Sequence, residues 1–558
     1  MLTKLFRGLL AGAFLFCPPL VMAQAEPALD ERHILLKALL SEDVDEQIRL
    51  VQKLQGAEDP MVEQALAAWR QGGVFIYETN GVKTPFLLDP KVEADSKSAA
   101  IRIEDGKPLQ DEQKKPIRFL AADLTPVDTT SKLRIVIKDD LDLITLSNPD
   151  PKVRQAAVNK LGLDQNKSNL RFFQARMEKE KNVKVRRALD EAIAITELAD
   201  PDANVEAGAA RKLGEMRSIA AVDQLRGLVK DTAKKPKEVV QAARISVKQI
   251  EEYMFKGMLV GTAFRGLSLA AVLLVITLGL AITFGLMGVI NMAHGEIMTV
   301  GAYSAYVTQN YFIKWFGSGG RGFEFYFPVA LVVGFVAAAL AGLLLERLVV
   351  RFLYKRPLES LLATWGVSLV LQQVFRSEFG PNNVDVTSPR WLSGSFDVND
   401  VLFAYNRIFV IGFAVFVMAL TYFILNRTTL GLQVRAVMQN RHMAACIGVR
   451  TERVNMMTFA LGSGLAGLAG VCLSQLANVG PSVGQNYIVD SFMVVVLGGV
   501  GNLVGTITAA LGIGVVDEML QPFFGAVLGK IMVLSAIILF LQWRPSGIFV
   551  TRSRSLEG

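Results

Sequence analysis

Only three cysteines and three histidines occur in 558 residues, and each scarcity closes off a class of chemistry. Cys17 falls in an N-terminal apolar leader, which leaves Cys446 and Cys472, both in the second half. The polar first half has no cysteine beyond that leader and cannot be held by disulfides. His33, His294 and His442 stand far apart, so no pair has the spacing of a metal centre. A nucleotide-binding loop is missing as well. Gly525-Ala-Val-Leu-Gly529-Lys530 is one residue short of a P-loop, lacks Ser or Thr, and sits in an apolar segment. Charge is nearly absent between Lys256 and Lys314, where only Arg265 and Glu296 are formally charged. The first half shows no nucleophile motif and no paired-carboxylate signature.

What is present is unevenly divided. Hydrophobic residues make up 51% of the chain and charged residues 20%, but the charges crowd into the first half. A polar domain is fused to a membrane domain. The net charge of +7 does not point to nucleic acid, because no basic patch is interleaved with aromatics. The later Lys and Arg gather in particular loops, as membrane orientation requires. Residues 1–25 read as a secretory signal. Lys4 and Arg7 precede the apolar run from Leu9 to Met22, and Ala23-Gln24-Ala25 offers a cleavage site. Phe16 before Cys17 disfavours a lipoprotein signal, and Pro18-Pro19 disfavours an uncleaved spanning anchor.

Residues 26–253 form an exported domain with internal repetition. Pro149-Asp150-Pro-Lys-Val-Arg-Gln-Ala-Ala-Val-Asn-Lys-Leu-Gly162 returns as Pro201-Asp202-Ala-Asn-Val-Glu-Ala-Gly-Ala-Ala-Arg-Lys-Leu-Gly214. Lys184-Val185-Arg186-Arg187-Ala188-Leu189 is a third, partial copy. In each, an Asp or Asn turn opens a helix whose Val, Ala and Leu recur at three- and four-residue spacing, a pattern that resembles HEAT-type helical repeats. Between about 72 and 140, Val74-Phe-Ile-Tyr77, Ile101-Arg-Ile103 and Leu133-Arg-Ile-Val-Ile137 read as short strands, so a small β insertion is expected. The charged residues read as a solvated face, and the domain as a recognition or docking module.

Apolar segments of the ~20 residues needed to cross a bilayer lie near 262–285, 292–312, 326–346, 359–375, 404–425, 456–477, 488–515 and 522–541. With the first domain outside, the first span runs inward. The loop after the third span is then inside and basic, as is the loop holding Arg427, Arg435, Arg441, Arg450 and Arg453. The outside loop 376–403 carries Glu378, Asp385, Asp397 and Asp400 against Arg376 and Arg390. Eight simple spans would leave Arg544, Arg552 and Arg554 outside. A broken or re-entrant pair across 488–515, bending at Gly498-Gly-Val-Gly-Asn502, brings them inside, and irregular backbone at that depth is tolerated where it is buried. Gly462, Ala466 and Gly470, with Ser463 and Gly467 beside them, form a stripe for close helix packing.

Gly288-Val-Ile-Asn291-Met-Ala-His294-Gly295-Glu296 interrupts these apolar segments. A charged side chain at mid-bilayer costs about 2.5–3.5 kcal/mol on insertion scales, so such groups normally face a bundle interior or a water-filled path. Two readings stand: a polar element lining a transport route, or a solvated surface loop. A second feature is Gly431-Leu-Gln-Val-Arg435-Ala436-Val-Met-Gln-Asn-Arg-His442-Met-Ala-Ala445-Cys-Ile-Gly448, which reads either as a membrane-surface helix or as a lever moved by an ATPase. These runs, with Gly301-Ala-Tyr303 and Val495-Val-Leu-Gly-Gly-Val-Gly-Asn502, occur in the order seen in branched-chain amino acid-type ABC permeases, which residues 255–550 resemble. The exported extension, Asn291-Met-Ala-His-Gly, Thr364-Trp365-Gly366 and Ser491-Phe-Met-Val-Val-Val resemble the urea-transporting branch of that family.

The resemblance implies a mainly α protein. A polytopic α-helical permease domain (254–550) follows the HEAT-like exported domain (26–253) and its β insertion (72–140), and ends in a cytoplasmic tail (551–558). It implies uptake of urea or a short-chain amide across the inner membrane. The chain itself is expected to be no enzyme and to bind no cofactor, ATP being used by separate ATP-binding subunits. A second permease subunit and a periplasmic substrate-binding protein are the other expected partners. Gly431, Arg435, Ala436, His442, Ala445 and Gly448 fall in the ATPase coupling loop of such permeases. A small neutral amide needs hydrogen-bonding groups and a narrow bore. Asn291, His294, Glu296, Thr364 and Asn502 are the candidates, with Trp365 for the wall; Asn291 and Asn502 equally fit helix caps, and Trp365 a lipid-facing position. Asp490 and Lys530 are further intramembrane ions. A branched-chain amino acid is the competing cargo, and its zwitterion favours fixed charges or helix ends. A membrane-anchored helical-repeat scaffold is the third reading, but eight apolar segments exceed what an anchor needs.

Overall fold

The side chains of Asp43, Asp59, Asp150, Asn182 and Asp202 each cap a helix N-terminus in the computed structural model, which describes residues 27–549 apart from 58, 80–81, 90–97, 111–114, 121–122, 232–234, 318–319, 355 and 546. The expected signal (1–25) and tail (551–558) lie outside the described residues. The chain divides into two units, Met1–Tyr253 and Met254–Gly558. In the first, α1 (Pro27–Leu40), α2 (Val44–Gln52) and α3 (Pro60–Arg70) precede an antiparallel sheet ordered β1 (Val74–Thr79), β2 (Val82–Leu88), β3 (Ser98–Arg102), β4 (Arg118–Phe119). Then come α4 (Ser131–Ile144), α5 (Pro151–Leu163), α6 (Leu170–Lys179), α7 (Val183–Glu197), α8 (Ala203–Met216), α9 (Val222–Lys230) and the first turns of α10 (Lys237–Met287). Leu66, Trp69, Leu133 and Ile137 belong to one core, and Phe75 and Phe86 to another.

The strand expected at 133–137 is helix instead. Thr130 accepts the Leu133 N–H, and Leu133, Ile137, Asp140 and Ile144 are buried at three- and four-residue spacing. The β-branched run Ile135-Val136-Ile137 imitates a strand, but Ile135 is exposed and only the helical stripe meets the core. The described strands of the first unit therefore lie within 74–119.

The repeats share their first turn. Asp150, Asn182 and Asp202 each accept the N–H two residues on, the N-cap contact that satisfies an otherwise orphaned helix donor. The first two copies also share a buried face: Ala157, Val158, Leu161 and Gly162 correspond to Ala209, Ala210, Leu213 and Gly214. Their glycines are matched sites of close approach, where a Cβ would lie 2.6 Å from Ala192 Cβ of α7 and 2.5 Å from Ser246 Oγ of α10. The partial copy keeps the cap but buries Val185, whose counterpart Val153 is exposed.

Arg154 is the fourth residue of α5 and holds Glu180 with two hydrogen bonds of 2.8 and 2.9 Å. At the matched position Glu206 takes Lys235 at 2.5 Å, the same bridge with its signs exchanged. Burial opposes ionisation of Glu180, but bonds from Arg154, the Asn182 backbone and Arg176 override it and hold the carboxyl down at about 2. An acid lowered on folding stabilises the fold fully above its unfolded value near 4.5 and loses that contribution as pH falls toward 2. The expected loss is on the order of 3 kcal/mol, so hydrogen-exchange protection of the α5–α7 amides should drop between pH 4.5 and 2. Glu180→Gln should remove most of that dependence; an unchanged profile would show that Glu180 is not its source.

In the second unit, α10 is followed by α11 (His294–Phe316), α12 (Tyr326–Leu348), α13 (Pro357–Phe379), the hairpin β5 (Ser395–Val398) and β6 (Val401–Ala404), α14 (Tyr405–Arg427), α15 (Thr429–Gln439), α16 (Arg441–Cys446), α17 (Thr451–Leu473), α18 (Val483–Gly498) and α19 (Leu503–Trp543). Six described helices are long and apolar enough to cross a membrane: Lys237–Gly285, Gly322–Phe352, Leu358–Phe379, Tyr405–Arg427, Thr451–Leu473 and Leu503–Trp543. The segment expected to span at 292–312 is not among them, because α11 carries Thr299, Tyr303, Thr308 and Gln309 inward. The stretch 488–515 is interrupted between α18 and α19, with Gly499 and Gly501 at φ of 97° and 82°, a conformation glycine adopts without a steric penalty. A second break at Gly525 (φ 79°) divides α19. Gly266 meets Val515 and Gly285 meets Gly501, so α10 and the first part of α19 run antiparallel.

Candidate functional site

Residues 288–293 leave α10 at Gly288, whose φ is +63°, and return the chain beside the helix it has just left. Asn291 Oδ1 accepts the Ala293 N–H at 3.1 Å. His294 starts α11, and its Nε2 donates to the Ile276 carbonyl on α10 at 3.1 Å. That bond fixes the Nε2–H tautomer and leaves Nδ1 as an acceptor. The fold-back requires bare backbone. A Cβ on Gly279 would lie 2.2 Å from the Gly462 carbonyl of α17 and 3.2 Å from His294 Nε2; one on Gly295 would lie 2.3 Å from the Gly484 carbonyl of α18.

α13 supplies the polar wall. Ser360, Thr364, Ser368 and Gln372 recur every four residues and are all buried, one above another on a single helix face. Thr364 Oγ1 accepts the Met292 N–H at 3.1 Å and donates to the Ser360 carbonyl at 2.8 Å. Gln372 Nε2 donates to Glu296 Oε1 at 2.6 Å, with Ser368 Oγ 3.4 Å from the same nitrogen. Asn291, His294 and Glu296 are each 0% exposed, yet Asn291 Nδ2, His294 Nδ1 and Glu296 Oε2 are buried without a hydrogen-bond partner. Unmade bonds at buried polar atoms cost roughly 1–3 kcal/mol each. Three in one six-residue run give the segment one donor atom and two acceptor atoms with no partner among the described residues.

The structure brings Asn291, His294, Glu296 and Thr364 together and leaves two candidates out. Trp365 is 49% exposed on the opposite flank of α13, among exposed Leu362, Leu369 and Val370. Asn502 caps α19, accepting the Val504 and Gly505 N–H groups at 3.0 and 3.2 Å. Its neighbour Gly501 meets Gly285, nine residues along α10 from Ile276, which is roughly 13 Å at the helical rise. Ser360, Ser368 and Gln372 escape the sequence reading, although their four-residue spacing on an apolar helix is visible there. Asp490 and Lys530 do pair, at 2.8 Å, between α18 and α19.

The 431–448 loop folds as α15 and α16. Gly431 packs where a Cβ would lie 2.1 Å from the Leu425 carbonyl. Arg435 donates to that carbonyl and, at 3.3 Å, to Asn426 Oδ1. A cation at the C-terminal carbonyls of α14 complements the helix dipole and ties α15 to the span before it. Ala436 is half-buried, whereas His442 and Ala445 are exposed beside Met443 and Ile447. Gly448 ends the segment at φ +92°.

Residues 262–541 match the family described as "Branched-chain amino acid transport system / permease component". The high-affinity branched-chain amino acid transport system permease protein BraD of Pseudomonas aeruginosa is 28% identical over 298 residues, covering 51% of this chain and 93% of that protein. LivH of Salmonella typhimurium is 28% identical over 293 residues, with the same shares covered. LivM of Escherichia coli is 24% identical over 306 residues, covering 50% of this chain and 68% of that protein. No solved structure matches.

Proposed function

The chain belongs to the branched-chain amino acid transport system permease family, a family of multi-pass membrane permeases, and we propose that it is the membrane subunit of an ATP-driven importer for urea or a comparably small amide. The observation that carries this reading is the set of unpartnered Asn291 Nδ2, His294 Nδ1 and Glu296 Oε2 atoms in one buried run. A planar amide with donors and an acceptor complements them. No Lys or Arg contacts Glu296 among the described residues; its polar neighbours are Gln372 and Ser368. A zwitterion's carboxylate would therefore have only the N-terminus of α11 as a positive partner, and a neutral solute needs none.

The relatives' names favour a second reading, in which leucine, isoleucine or valine is the cargo. Uptake of labelled urea and labelled leucine by a deletion strain separates the two. Loss of urea uptake alone supports the first; loss of leucine uptake with urea unaffected overturns it. In either case the first unit faces the periplasm and the basic α15–α16 end faces the cytoplasm, the orientation supported by the positive-inside bias. Separate ATP-binding subunits dock on that end, a second permease completes the path, and a periplasmic binding protein delivers solute.

Under this proposal α15 and α16 form the lever on which ATP-driven closure acts. Arg435→Ala frees α15 from the end of α14. Gly448→Val places a β-branched residue at φ +92°, a strain of about 1–2 kcal/mol. Each is expected to reduce ATP-dependent uptake at least about tenfold, with the chain still assembled in the membrane. Undiminished uptake in both would remove the lever role.

A further inference from the structure

We infer that Tyr354 is the positioning residue through which the 431–448 segment moves the bundle core, an inference that rests on the lever role proposed for that segment. The Tyr354 hydroxyl donates to Glu346 Oε1 at 2.5 Å. Glu346 stands in the last turn of α12 and is 3% exposed. Asn455 of α17, 5% exposed, has its side chain beside the same hydroxyl. Arg441, the first residue of α16, places its guanidinium carbon 5.0 Å from the centroid of the Tyr354 ring. One side chain thus touches α12, α16 and α17 together. A second strap between these elements, Arg351 Nη2 to Glu452 Oε1 at 3.1 Å, is exposed at both ends, and such surface pairs contribute about 0–1 kcal/mol.

The contacts differ in kind, and that gives them direction. The cation over the ring face is a compliant attraction of about 0.5–1 kcal/mol at an exposed site. The hydroxyl bond to a buried carboxylate is charge-assisted and costly to break. Displacing α16 therefore pulls the ring, and the ring carries α12 and α17 with it. Those two helices pack directly against α11 and each other: a Cβ on Gly301 of α11 would lie 2.1 Å from the Gly467 carbonyl of α17, one on Gly334 of α12 would lie 3.5 Å from the Gly301 carbonyl, and one on Gly467 would lie 2.5 Å from the Gly334 carbonyl. Their backbones cannot slide independently, and α11 is the helix that begins with His294 and Glu296. The path is a contiguous set of packed groups from lever to polar run, the physical requirement for coupling.

The test uses the assembled transporter, with its ATPase subunits and second permease, in proteoliposomes, reading ATP hydrolysis and the uptake of labelled urea and labelled leucine together. Tyr354→Phe keeps the ring and the Arg441 contact but removes the hydroxyl. It is expected to lower uptake about tenfold while hydrolysis stays within about twofold. Arg441→Gln, which leaves the buried bond intact, is expected to lower uptake per ATP about threefold. Parallel losses of hydrolysis and uptake, or unchanged transport per ATP in both variants, overturn the inference. Failure of the lever reading looks different: Gly448→Val then transports normally, and the role of Tyr354 falls with it.

Discussion

Gly470→Ala is expected to destroy the assembled membrane unit, although it adds one methyl group. The new Cβ would lie 1.9 Å from the Met298 carbonyl oxygen and 2.8 Å from the Ala302 nitrogen, both backbone atoms of α11. No rotamer relieves such a clash. The helices must separate, and the neighbouring crossings resist: Gly334 approaches Val471, and Gly467 approaches Ala338. Overpacking in a deformable core costs about 1–3 kcal/mol; here rigid backbone on both sides places the cost at or above that range. Total stabilities are of order 5–15 kcal/mol, so a large fraction is at stake. Gly412→Ala in α14 is the control, since nothing lies within 4 Å of its Cβ position and helix propensity favours Ala by about 0.8–1 kcal/mol. Size-exclusion profiles and melting temperatures in detergent should show G470A aggregated or strongly destabilised and G412A unaffected. Equal melting of G470A and the parent protein would refute the packing argument.

The stripe that contains Gly470 is legible as Gly462, Ala466 and Gly470, because small residues recurring every four positions along an apolar helix let a neighbouring backbone approach. What they meet is not legible, since the close partners Gly279, Gly301 and Gly334 lie on other helices and pairing between helices leaves no local trace. Asn291, His294 and Glu296 stand out for the opposite reason, being polar where polarity is costly. Their partners do not. The run Thr364-Trp365-Gly366 suggests a shared wall, yet adjacent helical residues point about 100° apart, so Thr364 and Trp365 cannot share a face. The four-residue series Ser360, Thr364, Ser368, Gln372 is the better signal. The strand expected at 133–137 rested on β-branched residues at positions where tertiary burial chose the helix. Tyr354 is invisible in the sequence because its role depends on α16 and α17, which lie far along the chain from it.

Glu296→Gln distinguishes the two proposed cargoes as well as testing the path. The substitution preserves shape and leaves one side-chain oxygen to accept from Gln372 Nε2, now 2.6 Å from the carboxylate, so folding should be retained. It removes the ionisable group, and it replaces the unpartnered acceptor Oε2 with an NH2 donor. A neutral amide bound there loses a hydrogen-bond acceptor, worth about 0.5–1.5 kcal/mol, and urea uptake is expected to fall roughly 2- to 12-fold. An amino acid would bring its ammonium to the same carboxylate. Losing one partner of a buried charge pair costs about 2–5 kcal/mol, so leucine uptake would fall on the order of 30- to several-thousand-fold. The size of the loss therefore reports the charge of the solute at this position. Thr364→Val is the companion change, because it removes the acceptor for the Met292 N–H without touching Glu296 and should reduce uptake of either solute alike. Full transport of both solutes by Glu296→Gln, with hydrolysis and size-exclusion profile unchanged, would confine Glu296 to holding α11 against α13.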